Sequence, residues 1–205
     1  MIFAVYLHKT IQVEKILEIF KTQNGYLQSK QLVNRAMRYQ LQKMFEIGEV
    51  SKIKRGLYKH SELAGNNELA EVCRMVPNGV LCMFSAWQHY ELTTSVSPLY
   101  HIAIPRKTKI KLPPFPPIKL YYWSENYYKS GVTKIKTDGE QIVIYSLEKS
   151  VCDAVKFRNK IGMEITLEVL KSYIKRKDRN IDQLMKFAKN MRIEKVITPY
   201  LQTLI

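Results

Sequence analysis

Three cysteines in 205 residues are too few, and too scattered, to carry chemistry of their own. Cys73, Cys82 and Cys152 are odd in number and form no Cys-x-x-Cys pair, which argues against a disulfide framework or a zinc site and fits a reducing cytosol. No apolar run approaches the roughly 20 residues of a membrane span. The stretch Ile2 to Leu7 is too short for a signal-peptide core, so a cytoplasmic protein with no membrane partner is expected. Acidic residues are scarce as well: 18 Asp+Glu face 33 Lys+Arg, a net charge of +15 and a pI near 9.7. Residues 1–63 hold 11 Lys+Arg against 5 Asp+Glu, and residues 64–205 hold 22 against 13. Both halves are therefore basic, and a polyanionic partner is favoured.

The signatures of common enzymes are also missing. There is no GxxxxGK[ST] loop, no GxGxxG after a strand, no HExxH and no GxSxG. A restriction-type nuclease needs an acid followed by (Asp/Glu)-x-Lys, and Asp138-Gly-Glu140-Gln-Ile142 lacks the lysine. Asp138 and Glu140 have the spacing of a nucleotidyltransferase carboxylate pair without its Gly-Ser turn, so a hairpin turn is the better reading. Ser85 and His89, i and i+4 on a helix, have no orienting acid nearby; Ser85 reads as a helix cap and His89 as half buried. Asp153, inside an apolar helix near Lys149 and Lys156, reads as one partner of a structural ion pair. Tyr121, Tyr122, Trp123, Tyr127 and Tyr128 lie beside Lys119 and Lys129. Interleaved aromatic and basic residues can stack bases, yet core packing with surface tyrosines is the simpler account. No catalytic residue, cofactor or metal is expected, and the chain reads as a non-enzyme.

What is present is concentrated between Met37 and Lys59. Met37, Leu41, Met44 and Phe45 follow the i, i+4, i+7, i+8 spacing of a buried helical stripe. The other face carries Arg38, Tyr39, Gln40, Gln42 and Lys43, none acidic and all able to bond phosphates or base edges. Gly48 suits a helix C-cap. Val50 to Lys59 then alternates around a basic tip, Lys54-Arg55-Gly56, the pattern of a hairpin. Upstream, Thr10 is placed to cap a helix with the stripe Val13, Ile16, Leu17 and Phe20; Asn24-Gly25 breaks it, and Ser29 is placed to cap a short helix over 30–34. Helix, short helix, turn, helix and hairpin make a winged helix-turn-helix. Arg38, Tyr39, Gln40, Gln42 and Lys43 are thus expected in the major groove of double-stranded DNA, with Lys52, Lys54 and Arg55 on the wing against phosphate or minor groove.

The fold class expected for the whole chain is α+β. An N-terminal winged helix-turn-helix (1–60) and a linker (61–67) precede an α+β domain (68–205) with a small sheet and a C-terminal helical group. In that second domain a helix is read over 68–76, strands over 80–84, 100–104, 118–123 and 141–145, and helices over 85–92, 147–159, 164–176, 181–190 and 194–203. The proline-rich run Pro113–Pro117 must be extended, as an ordered connector between strands.

The two halves together resemble the AbiEi family of antitoxins. The similarity lies in Leu41–Gly48 (LQKMFEIG) running into Val50–Tyr58 (VSKIKRGLY), in Gly79–Leu92 (GVLCMFSAWQHYEL), and in His101–Lys107 (HIAIPRK). It continues through Ile144–Phe157 (IYSLEKSVCDAVKF), with a Ser-Leu-Glu-Lys-Ser-x-x-Asp pattern, and the tail Leu184–Leu201. The chain departs from the family at Arg35, where a glycine is common. The resemblance implies an antitoxin of a type IV toxin–antitoxin, abortive-infection system used in phage defence. Its N-terminal domain would repress its own operon, and its C-terminal domain would counter a nucleotidyltransferase-like toxin without a stable complex. The alternative is a winged-helix transcriptional regulator whose C-terminal domain binds a ligand or dimerises.

Overall fold

The stripe Val13, Ile16, Leu17 and Phe20 commits one helical face to a core, and helix α1 (Ile2–Thr22) buries Ile16 and Phe20 completely. The computed structural model describes residues 2–137 and 139–204, with side chains from Thr10 onward, so Asp138 lies outside the described residues. Because α1 begins upstream of Thr10, that residue is interior to the helix and is not its cap. The helix ends through two left-handed residues, Asn24 (φ 53°) and Gly25 (φ 85°), with the Gly25 N–H donating to Phe20 O at 2.6 Å. A Cβ on Gly25 would lie 2.2 Å from the Ala64 backbone. Both the conformation and the close approach require glycine there.

Strand β1 (Tyr26–Gln28) follows, and the short helix expected over 30–34 contracts to a single 3-10 turn, Ser29–Gln31. Ser29 does not cap it. The Ser29 N–H donates to Gly56 O (2.9 Å), a backbone tie to the wing, and Gln31 Oε1 accepts the Gln28 N–H (2.7 Å) within the turn; these bonds stand in place of a second helical turn. Helix α2 (Arg35–Glu46) is capped by Asn34, whose Oδ1 accepts the Met37 N–H at 2.8 Å and whose amide donates to Gln12 at 3.4 Å. Gly48, with φ 80°, ends it. Strands β2 (Val50–Lys54) and β3 (Leu57–His60) pair antiparallel from Val50↔His60 to Lys54↔Leu57, with an irregularity between Lys52 and Lys54. The sheet order β1-β3-β2 places the β2–β3 hairpin directly after α2, the layout expected of a winged helix-turn-helix with its middle helix reduced to the 3-10 turn.

The first compact unit runs to Glu68 and the second from Leu69. The expected linker is therefore only partly a linker, because Ser61–Ala64 folds onto the first unit. The Ser61 hydroxyl donates to Glu49 O (2.7 Å), the Ala64 N–H donates to His60 O (3.2 Å), and Leu63 packs on the core. A polar composition concealed backbone bonds that composition cannot report.

The second unit is built on a five-stranded mixed sheet of order β6-β5-β4-β8-β7. Helix α3 (Glu68–Met75) leads into β4 (Val80–Leu81), which pairs antiparallel with β5 (Tyr100–Pro105) and parallel with β8 (Glu140–Tyr145). The strand expected over 80–84 stops after two residues, because helix α4 (Met83–His89) begins directly after Cys82. A short apolar run does not distinguish a buried strand from a buried helix. Strand β6 (Ile118–Trp123) runs parallel to β5 at one edge, and β7 (Val132–Thr137) pairs with β8 at the other. Helix α5 (Glu125–Lys129) links β6 to β7. The chain then packs α6 (Leu147–Lys156), α7 (Arg158–Ile161), α8 (Met163–Ile174), α9 (Ile181–Asn190) and α10 (Glu194–Leu204). Helix α6 is central: residues 147–155 are all buried.

Candidate nucleic-acid interface

Helix periodicity divides α2 into two faces. Met37, Gln40, Leu41 and Met44, spaced i, i+3, i+4, i+7, are the four buried residues. Arg35, Arg38, Tyr39 and Gln42 repeat the same spacing on the other side and are all exposed. Gln40 was expected to face DNA, but it is 7% exposed and belongs to the core stripe. Phe45 was expected in the core and is 41% exposed. Arg35, noted in the sequence only as a departure from the family's common glycine, lies on this outer face. It opens the helix, and the N-terminal residues of a recognition helix reach base edges first.

The exposed side chains differ in how firmly they are held. Arg38 has no ion-pair or side-chain hydrogen-bond partner among the described residues. Lys43 is bound by Glu46 at 2.8 Å, and Gln42 donates to the same carboxylate at 3.3 Å. Glu46 thus closes the C-terminal end of a face that otherwise lacks acid. Its hydrogen bond and charge raise the Lys43 pKa, while Lys43 and then Gln42 lower that of Glu46. The Lys43 ammonium also lies 5.7 Å from the centre of the Tyr39 ring. On the wing, Lys52 and Arg55 are exposed, whereas Lys54 is partly buried and burial lowers its pKa. Gly56 (φ 80°) forms the turn and bonds back to Ser29, fixing the wing to the 3-10 turn. Six expected contact residues share the outer surface of this unit, Lys54 only partly and Gln40 not at all.

In the second unit the polar residues of Ser146–Asp153 build an internal network. Ser146 caps α6, accepting the Lys149 N–H at 3.4 Å. Glu148 accepts the Tyr173 hydroxyl (3.4 Å) and the Asn180 N–H (3.3 Å). Trp87 Nε1 donates to Ser150 O at 2.8 Å. Lys149 and Asp153, both wholly buried, pair at 2.6 Å, and the Tyr127 hydroxyl donates to the same Asp153 oxygen at 2.5 Å. The Lys149 Nζ is caged 4.5, 4.0 and 4.3 Å from the ring centres of Trp123, Tyr127 and Tyr145. Gly131 (φ 73°) makes room, since a Cβ there would sit 2.7 Å from Lys149 Cβ. Burial raises the Asp153 pKa against the opposing pull of Lys149 and Tyr127. Lys156, the other lysine considered near Asp153, instead donates to Met191 O at 2.9 Å.

The remaining sequence candidates are occupied structurally. The Ser85 hydroxyl accepts the His101 N–H (2.8 Å) instead of capping a helix, and His89 is exposed against Tyr90. Glu140 receives a two-pronged bond from Arg74 at 2.8 Å to each oxygen. His101, 3% exposed, lies between Ser97 (2.8 Å) and Tyr121 (2.9 Å), and burial, with help from Lys119, lowers its pKa to about 4. Among the described residues no helix is long and apolar enough to cross a membrane, and no group of three or more His, Cys, Asp or Glu is placed to hold a metal ion.

No family model and no curated protein matches the chain. Among solved structures, it is similar to the crystal structure of the RV2827C protein from Mycobacterium tuberculosis, with a TM-score of 0.58 over 87% of this chain and 71% of that one. At 10% identity the likeness is one of fold.

Proposed function

We propose that the chain is an AbiEi-type antitoxin that also represses its own operon, acting in the cytoplasm as a non-enzyme. The observation that carries the DNA-binding half is the outer face of α2, where Arg35, Arg38, Tyr39 and Gln42 project together beside a wing bearing Lys52 and Arg55. The cationic end of that face suits phosphate, and Arg and Gln suit guanine and adenine edges. Buried Gln40 takes no part in the contact, and exposed Arg35 does. The antitoxin half rests on the resemblance in Gly79–Leu92, His101–Lys107 and Ile144–Phe157, read with the buried network that Ser146–Asp153 forms. Exposed Lys107, Lys109 and Lys111 would meet the nucleic acid or nucleotide used by a nucleotidyltransferase-like toxin, so protection proceeds through the substrate and no stable complex is needed.

Two measurements on the full-length protein test the two halves separately. In gel-shift titrations with DNA upstream of its own gene, the Arg38→Ala/Lys54→Ala double variant should lose affinity while retaining the wild-type melting temperature. Unchanged affinity would sink the DNA-binding assignment. In cells expressing the neighbouring toxin, the same double variant should still rescue growth, whereas glutamate at positions 107, 109 and 111 should impair rescue. Full rescue by the charge-reversed protein removes the electrostatic mechanism.

A further inference from the structure

We propose that the second unit binds a nucleoside triphosphate in the cavity between β6 and the α6–α7 junction. The cavity is about 380 Å³, within the roughly 300–1,000 Å³ of small-molecule sites. Tyr122, Trp123 and Phe157 form its apolar side, and Arg106, Lys156 and Lys160 its charged side. No carboxylate lines it. It adjoins a second cavity of about 470 Å³ that shares Ser124, Tyr127 and Lys156, adds Arg192 and likewise has no acidic wall.

Cations gathered around one cavity without a carboxylate repel one another, and a bound polyanion removes that cost. The side chains have donors to spare. Arg106 and Lys160 make no ion pair among the described residues, and Lys156 spends one of its three N–H bonds on Met191 O. An inorganic phosphate would use only this side. The aromatic side extends the specificity: Tyr122 is 47% exposed, and the Trp123 and Phe157 rings lie within 10° of parallel. Of these rings Tyr122 is the exposed one, and an exposed aromatic face next to cations takes a base by stacking and its phosphates by charge-assisted bonds. A cleft of about 380 Å³ has room for one nucleotide. The Lys149–Asp153 pair, which shares Trp123 and Tyr127 with this wall, holds both rings in place from behind. This site depends on neither the operator-binding nor the antitoxin reading.

Isothermal titration of the full-length protein with ATP, GTP, CTP and UTP tests the site, with adenosine and inorganic triphosphate as partial ligands. At least one nucleoside triphosphate should bind one-to-one and more tightly than either partial ligand. Arg106→Glu/Lys160→Glu should weaken binding at least about tenfold, with melting temperature and operator affinity unchanged. Tyr122→Ala should weaken the nucleotide and leave inorganic triphosphate unaffected. If the charge reversal lowers the melting temperature, Arg106→Gln and Lys160→Gln are tested singly for the same weakening. The proposal is overturned by any of four results: no nucleotide binding, binding indifferent to Arg106 and Lys160, triphosphate binding as tightly as the nucleotide, or a short single-stranded oligonucleotide outcompeting every mononucleotide.

Discussion

Helices α2 and α6 are both short, both rich in polar residues, and handle those residues in opposite ways. In α2 the polar side chains cover one face and, apart from Gln40, project from the protein. In α6 Glu148, Lys149, Ser150 and Asp153 are buried with the apolar residues. The first arrangement costs folding little and leaves donors for a partner. The second demands that every charge be matched internally, because an unpaired buried ion costs several kcal/mol. A substitution in α2 should therefore register in binding, and one in α6 in stability.

The largest effect that sharpens this contrast is Asp153→Ala. It strands Lys149 inside an aromatic cage and should cost about 3–5 kcal/mol of unfolding free energy, measured by denaturant titration. Lys149→Met/Asp153→Leu should recover most of that loss. A single-variant cost below about 1 kcal/mol would mean that the pair is solvated and that the contrast fails.

His101 gives a pH-dependent version. Its folded pKa, about 4, is depressed below the ordinary 6.5 because burial disfavours the imidazolium. The neutral ring is therefore the form that stabilises the fold. That stabilisation is present above pH 6.5 and is lost as pH falls towards 4, by about 2–3 kcal/mol in all. His101→Gln should flatten stability across this window; an unaltered slope would show that other groups control it.

On α2, Arg38→Ala should cost on the order of 1–3 kcal/mol in operator affinity while changing stability by less than about 0.5 kcal/mol. Gln40→Ala should do the reverse, lowering stability with no change in DNA binding. Gel shifts and thermal melts on both variants decide the matter, and equal losses of affinity would return Gln40 to the interface. The smallest effect expected is from Glu46→Gln, which releases Lys43 and Gln42 and should tighten DNA binding slightly, most visibly at low salt.

Elements with strong periodicity were legible from residues alone. Strand β6 (Ile118–Trp123) and helix α9 (Ile181–Asn190) occupy the ranges read for them. Strand β7 was missed because it alternates Lys134 and Lys136 with residues that are never fully buried, so no apolar face announces it; such lysines are common on an edge strand. Helix α5 is five residues long, too short to show a period. Gln40 was misplaced because residue type outweighed spacing: i, i+3, i+4, i+7 from Met37 includes it. Arg35 was overlooked because the helix start was set by its first apolar residue instead of by its Asn34 cap.

Charge, the stripe of α2, the basic hairpin tip and the absence of familiar catalytic motifs are all properties of local sequence, since each depends on residues a few positions apart. Whether a polar side chain ends outside or inside is a different kind of fact. Asp153 meets Tyr127 across 26 positions and Trp87 meets Ser150 across 63. Arg106, Tyr122 and Lys160 line one cavity although they are distant in the chain. Spacing along a helix assigns each residue to a face, but what that face packs against is set by the register of β6 on β5 and by the closure of the sheet over α6. The aromatic cage and the nucleotide cavity are therefore properties of the assembled fold.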